Sequence, residues 1–213
     1  MGKVSVFNWP AADVTAICKL QTTTGAGYLA LNGDLSLPIY GGQYIPLVNI
    51  QRTITLTSTN DLAGVDVTIT GTLEGKAVSV THAGPNDATY TTTQLFDSIT
   101  SIYVSGAVTA MSVGTGATGQ TKWWTYDPFV PYAAAIVQCI ATATINYTLQ
   151  VTLDDVLTTT PNVFTPVTAL TGATTSELAE IAPLPIKYAN IIINSSSGSG
   201  ALVSTFLQQG VKA

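Results

Sequence analysis

"GVDVTITGTLEGKAVSVTH", residues 64–82, alternates valine and isoleucine with threonine. Val65, Val67, Ile69 and Leu73 share one phase of the alternation, and Asp66, Thr68, Thr70 and Thr72 share the other. Successive side chains of an extended strand point to opposite faces, so this phasing separates an apolar side from a hydroxyl side. Glu74-Gly75 breaks the run, and glycine accepts the positive φ that a tight turn demands. Val78, Val80 and His82 then continue the pattern on a returning strand. The stretch reads as a β-hairpin with one buried face and one threonine face.

The same reading extends outward. From Val137 to Leu153 every odd position is apolar, and only Ile140 spoils the even phase. That run exceeds a usual strand of about 3–10 residues, so two strands or one bent strand are expected, with the break near Ala141–Thr144. Gln51–Ser58 alternates as well. Ser98–Ser105 and Ala110–Val113 flank a turn at Gly106, and Gly27–Asn32 forms a short strand. Ile186–Asn194 and Ala201–Leu207 flank "SSSGSG", which reads as a hairpin loop. One helical turn is expected at Thr174–Glu180, where Thr174 and Glu177 are spaced like a capping box.

Strand signals every 8–12 residues with Gly and Asn turns predict an all-β chain of sandwich or jelly-roll type. The least strand-like stretch is "GTGATGQTKWWTYDPFVP", residues 114–131. Two Thr-rich β-sandwich, jelly-roll-like domains are therefore expected, 1–118 with an N-terminal arm and 119–213.

The chain has 213 residues, of which 46% are apolar and only 9% charged. An ordinary globular chain is about 25% charged. Thr, Ser, Asn, Gln and Gly fill the polar positions instead. Net charge is −5, and the seven Lys and Arg residues are scattered. Nucleic-acid binding needs a clustered basic footprint, so no nucleic-acid partner is expected. No membrane association is expected either. The charge-free run Pro128–Leu153 is too rich in Thr, Gln and Asn to span a bilayer. The opening "MGKVSVFNWPAADV" lacks the apolar core of a secretory signal. Burying a neutral threonine face costs little, whereas burying unpaired charges costs several kcal/mol each. The economical explanation of a charge-poor surface is that other subunits cover it.

Motifs for chemistry are weak. "GTGATG" at 114–119 is a literal G-x-G-x-x-G, but no helix follows to receive a pyrophosphate, so it reads as a flexible loop. His82 is the lone histidine, and a nucleophile triad would have to be built on it, mid-hairpin. Asp154-Asp155 and Asp127 lack a calcium-loop spacing and read as acidic turns. Cys18 and Cys139 read as small buried hydrophobes, with a disulfide as the alternative. No catalytic residue, metal or cofactor is expected, and the chain is not read as an enzyme. Trp123, Trp124, Tyr126, Phe129 and Tyr132 form an aromatic cluster. It reads as a plug between the sandwiches, a subunit interface or a sugar-stacking platform. In "KVSVFNWP", Val4, Val6, Phe7 and Trp9 lie on the expected N-terminal arm. The candidate interface is therefore Val4, Val6, Phe7, Trp9, Trp123, Trp124, Tyr126 and Phe129.

"ITLTSTNDLAGVDVTITGTLEGKAVSVTHAGPNDATYTTTQLFDSITSIYVSGAVTAMSVGTGATG" (54–119) resembles a pattern of tailed-bacteriophage virion proteins. There a "GV-x-[FV]-T-[IV]-x-G-T" hairpin leads to "GPN…TT-x-x-F", "[VI]TS[IV]-x-VSGA" and "VSVGTG". "INYTLQVTLDD" (145–155) and "PLPIKYANIIINSSSGSGALVSTFLQQG" (183–210) are similar to the same proteins. One departure is Leu73-Glu74-Gly75-Lys76, where the family often has an Asp-Gly or Asn-Gly turn. The resemblance implies a structural role with no catalytic residues. It suggests a homo-oligomeric capsid decoration, or cement, protein that binds the outer shell and stabilises the head. Its partners would be the major capsid protein and copies of itself. Its place would be the capsid exterior, after assembly in the host cytoplasm. The alternatives are a neck or tail component, or a carbohydrate-binding adhesion module that meets a host surface glycan.

Overall fold

The structure is a computed structural model that describes residues 2–39, 42–47, 50–125, 133–141, 145–156, 161–165, 168–181 and 186–208. The described residues are overwhelmingly β, and their strand pairing is antiparallel. The fold is all-β and of the sandwich kind. In chain order the strands are β1 (Gly2–Trp9), β2 (Asp13–Gln21), β3 (Gly27–Tyr28), β4 (Leu37–Ile39), β5 (Gly42–Pro46) and β6 (Ile50–Asp61). They continue with β7 (Asp66–Leu73), β8 (Lys76–Ala83), β9 (Asn86–Thr91), β10 (Ser98–Val104), β11 (Met111–Thr121) and β12 (Trp124–Thr125). The last are β13 (Ala133–Ala141), β14 (Ile145–Thr152), β15 (Glu177–Ile181), β16 (Tyr188–Ser196) and β17 (Gly200–Gln208). Two compact units result: Ala12–Gly116, and Met1–Ala11 together with Ala117–Ala213.

In the unit Ala12–Gly116, one sheet runs β4-β5-β10-β7-β8, with β3 also on β10. The other joins β11, β6 and β9, with β2 on β11. One apolar core draws from both sheets: Ile17 from β2, Ile54 and Leu56 from β6, Val67 and Ile69 from β7, Ile99, Ile102 and Val104 from β10, and Met111 and Val113 from β11. Phe96 joins it from the approach to β10. The opening stretch is the β7–β8 hairpin, paired from Asp66↔Ala83 to Leu73↔Lys76. Val67 and Ile69 are fully buried, while Thr68 and Thr70 on the opposite face are only half-buried. Glu74 (φ 51) and Gly75 (φ 73) both take positive φ, which is the type I′ geometry that suits a right-twisted hairpin. Glutamate is a poor fit for that conformation. Here Gln51 Nε2 donates to its carboxylate and helps hold it. Gly71 shares the inward phase, and a Cβ there would lie 1.9 Å from the carbonyl oxygen of Ser98.

The "GTGATG" segment, expected as a flexible loop, is instead the interior of β11. The reason is close approach of neighbouring strands. A Cβ at Gly114 would lie 1.9 Å from the Asp13 carbonyl oxygen on β2, and one at Gly116 would lie 2.1 Å from Thr53 Oγ1 on β6. Glycine in a strand marks such approaches as well as turns.

In the other unit, β1-β17-β13-β15 form one sheet. A second path, β12-β16-β11, carries β14 on β16. Ile145, Tyr147, Leu149 and Val151 of β14 pack inward with Ala189, Ile191 and Ile193 of β16. The long alternating run 137–153 divides into β13 and β14, as expected; the connecting residues 142–144 lie outside the described residues. The hairpin expected at "SSSGSG" and the turn expected at Gly106 are both crossovers. β16 and β17 enter different sheets, and so do β10 and β11. Alternation marks a strand and its turn, but not whether the partner lies beside it or across a core. The helical turn expected at Thr174–Glu180 is also replaced, because β15 starts at Glu177 and pairs with β13. A short 3-10 turn lies at Thr168–Leu170 instead.

Candidate functional site

The outward face of the β3-β10-β7-β8 sheet is the best-defined candidate. Register aligns Tyr28 of β3 with Tyr103 of β10, Tyr103 with Thr68 of β7, and Thr68 with Thr81 of β8. The next row aligns Ser101, Thr70 and Ser79. Directly opposed residues of an antiparallel pair project to the same side, so these side chains form two rows on one surface. Their strand neighbours Val67, Ile69, Ile102 and Val104 fill the core below. Alternation that builds the core therefore builds this face as well.

The hydroxyls satisfy one another across the strands. Thr68 Oγ1 and Thr81 Oγ1 are 2.8 Å apart, and Thr70 Oγ1 and Ser79 Oγ are 3.3 Å apart. Thr100 Oγ1 donates to the Thr70 carbonyl at 3.1 Å. Tyr28 and Tyr103 pack edge to face, with centroids 5.3 Å apart and planes at 66°. Tyr28 is 73% exposed and Tyr103 38%. No residue of the two rows carries a charge. Along β7 the face ends at carboxylates: Asp66 at one end, and at the other Asp97, which accepts the Thr72 hydroxyl.

Such a face can be covered at low cost. A hydroxyl already paired loses little when water leaves, whereas an unpaired buried polar group costs about 1–3 kcal/mol. Tyrosine adds apolar area with little side-chain entropy to lose, and it is enriched at interface cores. This arrangement suits noncovalent recognition by another surface. Tyr28 and Tyr103 are not among the interface candidates of the sequence, whereas alternation already phases Thr68 and Thr70 onto an outward threonine face that suits contact with other proteins. The pairing of Tyr28 with Tyr103 joins residues distant in the chain and carries no local signal.

The sequence candidates are placed differently. β1 pairs along its whole length with β17, so Val4 stands opposite Thr205 and Val6 opposite Val203. The segment expected as an arm is thus an edge strand of a sheet. Trp9 is only 2% exposed, and its indole Nε1 donates to Ser196 Oγ at 2.7 Å. Ser196 Oγ in turn donates to the Ala117 carbonyl at 3.2 Å. Phe7 stacks on Trp124 at 5.5 Å, and Trp124 is 9% exposed. Trp123 is half-buried. The structure brings Phe7 and Trp124 into contact and packs Trp9 within the same unit. Tyr126, Phe129 and Tyr132 lie outside the described residues.

The buried ionisable groups are structural. Cys18 is a free, buried thiol, not half of a disulfide. Desolvation pushes its pKa up to about 12, which keeps it protonated and unreactive. Arg52 lies inside the unit Ala12–Gly116, and its Nε and Nη2 donate to the Gly116 carbonyl at 3.2 and 2.5 Å. Burial lowers its pKa to about 10, still well above neutrality. His82 Nδ1 lies 3.0 Å from the Tyr90 hydroxyl, with ring centroids 4.8 Å apart. Asp154, read as part of an acidic turn, accepts from the backbone and side-chain nitrogens of Asn162 at 2.7 and 3.0 Å. No helix among the described residues is long and apolar enough to cross a membrane.

No family model matches the chain, and no curated protein matches it. Among solved structures, a fucolectin (F-lectin) from the serum of the striped bass, Morone saxatilis, is similar at 12% identity and a TM-score of 0.27. The alignment covers 99% of this chain and 97% of that one. A likeness this weak carries no argument about function.

Proposed function

We propose that the chain is a structural protein of a tailed-bacteriophage virion, and that it decorates the outside of the capsid. One observation carries this reading: an ordered, uncharged face of paired hydroxyls and two tyrosines stands exposed on a charge-poor chain. A surface of that chemistry is cheap to cover and suits a protein that works inside an assembly. The resemblance of residues 54–119 to virion proteins supplies the class of assembly. The mechanism is mass action. A protein that binds only assembled shell lowers the free energy of that state, and it does so more strongly as more copies bind. The major capsid protein is the partner of the Tyr28–Tyr103 face in this reading.

The test is copy number in purified particles, by quantitative mass spectrometry against the major shell protein. A ratio near that of the shell protein is expected. A handful of copies per particle would move the chain to the neck or tail. Absence from particles would overturn the virion reading. The adhesion alternative has no free tryptophan platform at Trp124, which is buried against Phe7. Glycan binding lost on Trp123→Ala would revive it at the half-buried neighbour.

A further inference from the structure

β9 is anomalous among the strands. All six of its residues, Asn86–Thr91, are exposed, including Tyr90. A strand in a sandwich normally buries one face, and that burial is what orders it. β9 stands at the end of its sheet and pairs only with β6, so one edge is open among the described residues.

Other terminal strands differ. β4 carries Pro38, β15 carries Glu177 and Glu180, and β1 carries Lys3. Charges and proline at edges discourage pairing with another chain. β12 is two residues long. β8 packs Val78 and Val80 on the core. β9 is neutral from Ala88 to Thr91, and its one charge, Asp87, sits where the backbone turns to φ 44 and the register with β6 shifts.

The backbone phase of β9 is fixed. Thr92 N donates to the Ile54 carbonyl at 2.8 Å, and Leu56↔Tyr90 and Ser58↔Ala88 follow in the same phase. Antiparallel alternation then turns the N–H and C=O of Thr89 and Thr91 away from β6. Thr89 Oγ1 also meets Thr57 Oγ1 at 2.9 Å, which starts a cross-strand hydroxyl ladder.

We infer that a second copy of this chain pairs with this edge, β9 against β9, antiparallel about a two-fold axis at Thr89. In that register the Thr89 backbones exchange both hydrogen bonds, and each Thr91 stands opposite an Asp87. The occupant follows from charge. Centring on Thr89 holds the two Asp87 side chains four residues apart along the strand, about 14 Å at ~3.4 Å per residue. That exceeds the Debye length of about 8 Å at physiological salt, so the like charges hardly interact. Threonine opposite threonine is a favourable cross-strand pair, and it continues the Thr57–Thr89 ladder through the axis. A two-fold contact is self-complementary and closes, so it gives a dimer and not a fibre. A short strand pair is smaller than a standard interface of about 1,600 Å², so micromolar affinity is expected.

This inference shares with the virion reading only the idea that other copies cover the surface. A dimer in solution without virion incorporation would uphold the first and sink the second. The experiment is sedimentation equilibrium of the full chain from micromolar to millimolar concentration, for wild type, Thr89→Lys and Thr89→Pro. The wild type should approach twice the 22.1 kDa chain mass. Thr89→Lys places like charges face to face at the axis. Thr89→Pro removes an N–H that points away from β6, a position where an edge strand tolerates proline. Each should weaken the dimer by at least about tenfold. Circular dichroism identifies folded variants, and Thr89→Lys alone carries the test if the proline variant unfolds. The Thr89 amide of the wild type should exchange more slowly as concentration rises. A wild type that stays monomeric throughout, or a dimer that folded Thr89→Lys leaves intact, would overturn the inference.

Discussion

Trp9 and Tyr28 are both large aromatic residues on β-strands, and they do opposite work. Trp9 is 2% exposed and donates its indole N–H to Ser196, a residue 187 positions away in the chain. Tyr28 is 73% exposed and leans edge-on against Tyr103. Around Trp9, the contacts of Phe7, Trp124 and Ser196 hold β1 within its own unit. Around Tyr28, hydroxyls pair with one another and leave a neutral face uncovered. The difference separates two uses of apolar area in a charge-poor chain. One stabilises the fold, and the other is available to a partner.

That contrast can be broken or sharpened by substitution. The largest effect is expected at Trp9→Ala, which empties a buried site and removes the indole donor to the Ser196 hydroxyl. Urea unfolding should show a loss of about 3–5 kcal/mol, and a loss under about 1 kcal/mol would mean that Trp9 is not structural. Next comes Gly71→Ala, whose Cβ would collide with the Ser98 carbonyl. Overpacking should cost about 1–3 kcal/mol or more. Gly64→Ala, where a Cβ meets nothing within 4 Å, serves as the control and should stay within about 0.5 kcal/mol of wild type.

A smaller effect is expected from pH. The Cys18 pKa is raised from 9.0 to about 12 in the folded state. A raised pKa means that the unfolded chain releases the proton first, so this stability is present in full below pH 9 and lost as pH rises towards 12. Wild type should lose about 1.4 kcal/mol relative to Cys18→Ala between neutrality and pH 10. A pH-independent difference would show that the thiol is not desolvated. The smallest effect on stability is expected at Tyr28→Ser. Urea unfolding should move by no more than about 0.5 kcal/mol, while incorporation into particles should fall. A folding defect there would contradict the division of labour.

Much of the fold was legible in residues 64–82 and 137–153, because a period of two is imposed by strand geometry itself. The crossovers at Gly106 and "SSSGSG" were not legible, because a turn residue reports local φ and not the sheet that the next strand joins. "GTGATG" misled for a related reason. Glycine can mean a bend or a neighbour too close for a Cβ, and only Asp13 and Thr53 reveal which. For the site, composition indicated that a surface is covered, but the aromatic residues pointed to Trp124, which β12 carries into the interior. The exposed pair Tyr28–Tyr103 needed the β3–β10 register, which no local pattern encodes.

The most direct test of the covered face is hydroxyl-radical footprinting of Tyr28 and Tyr103, in the free chain and in purified particles that contain it. Tyr28 should oxidise readily in the free chain and be protected in the particle, with Tyr103 following it. Equal oxidation of Tyr28 in both states would contradict the account, because the face would then be open to solvent where the protein works.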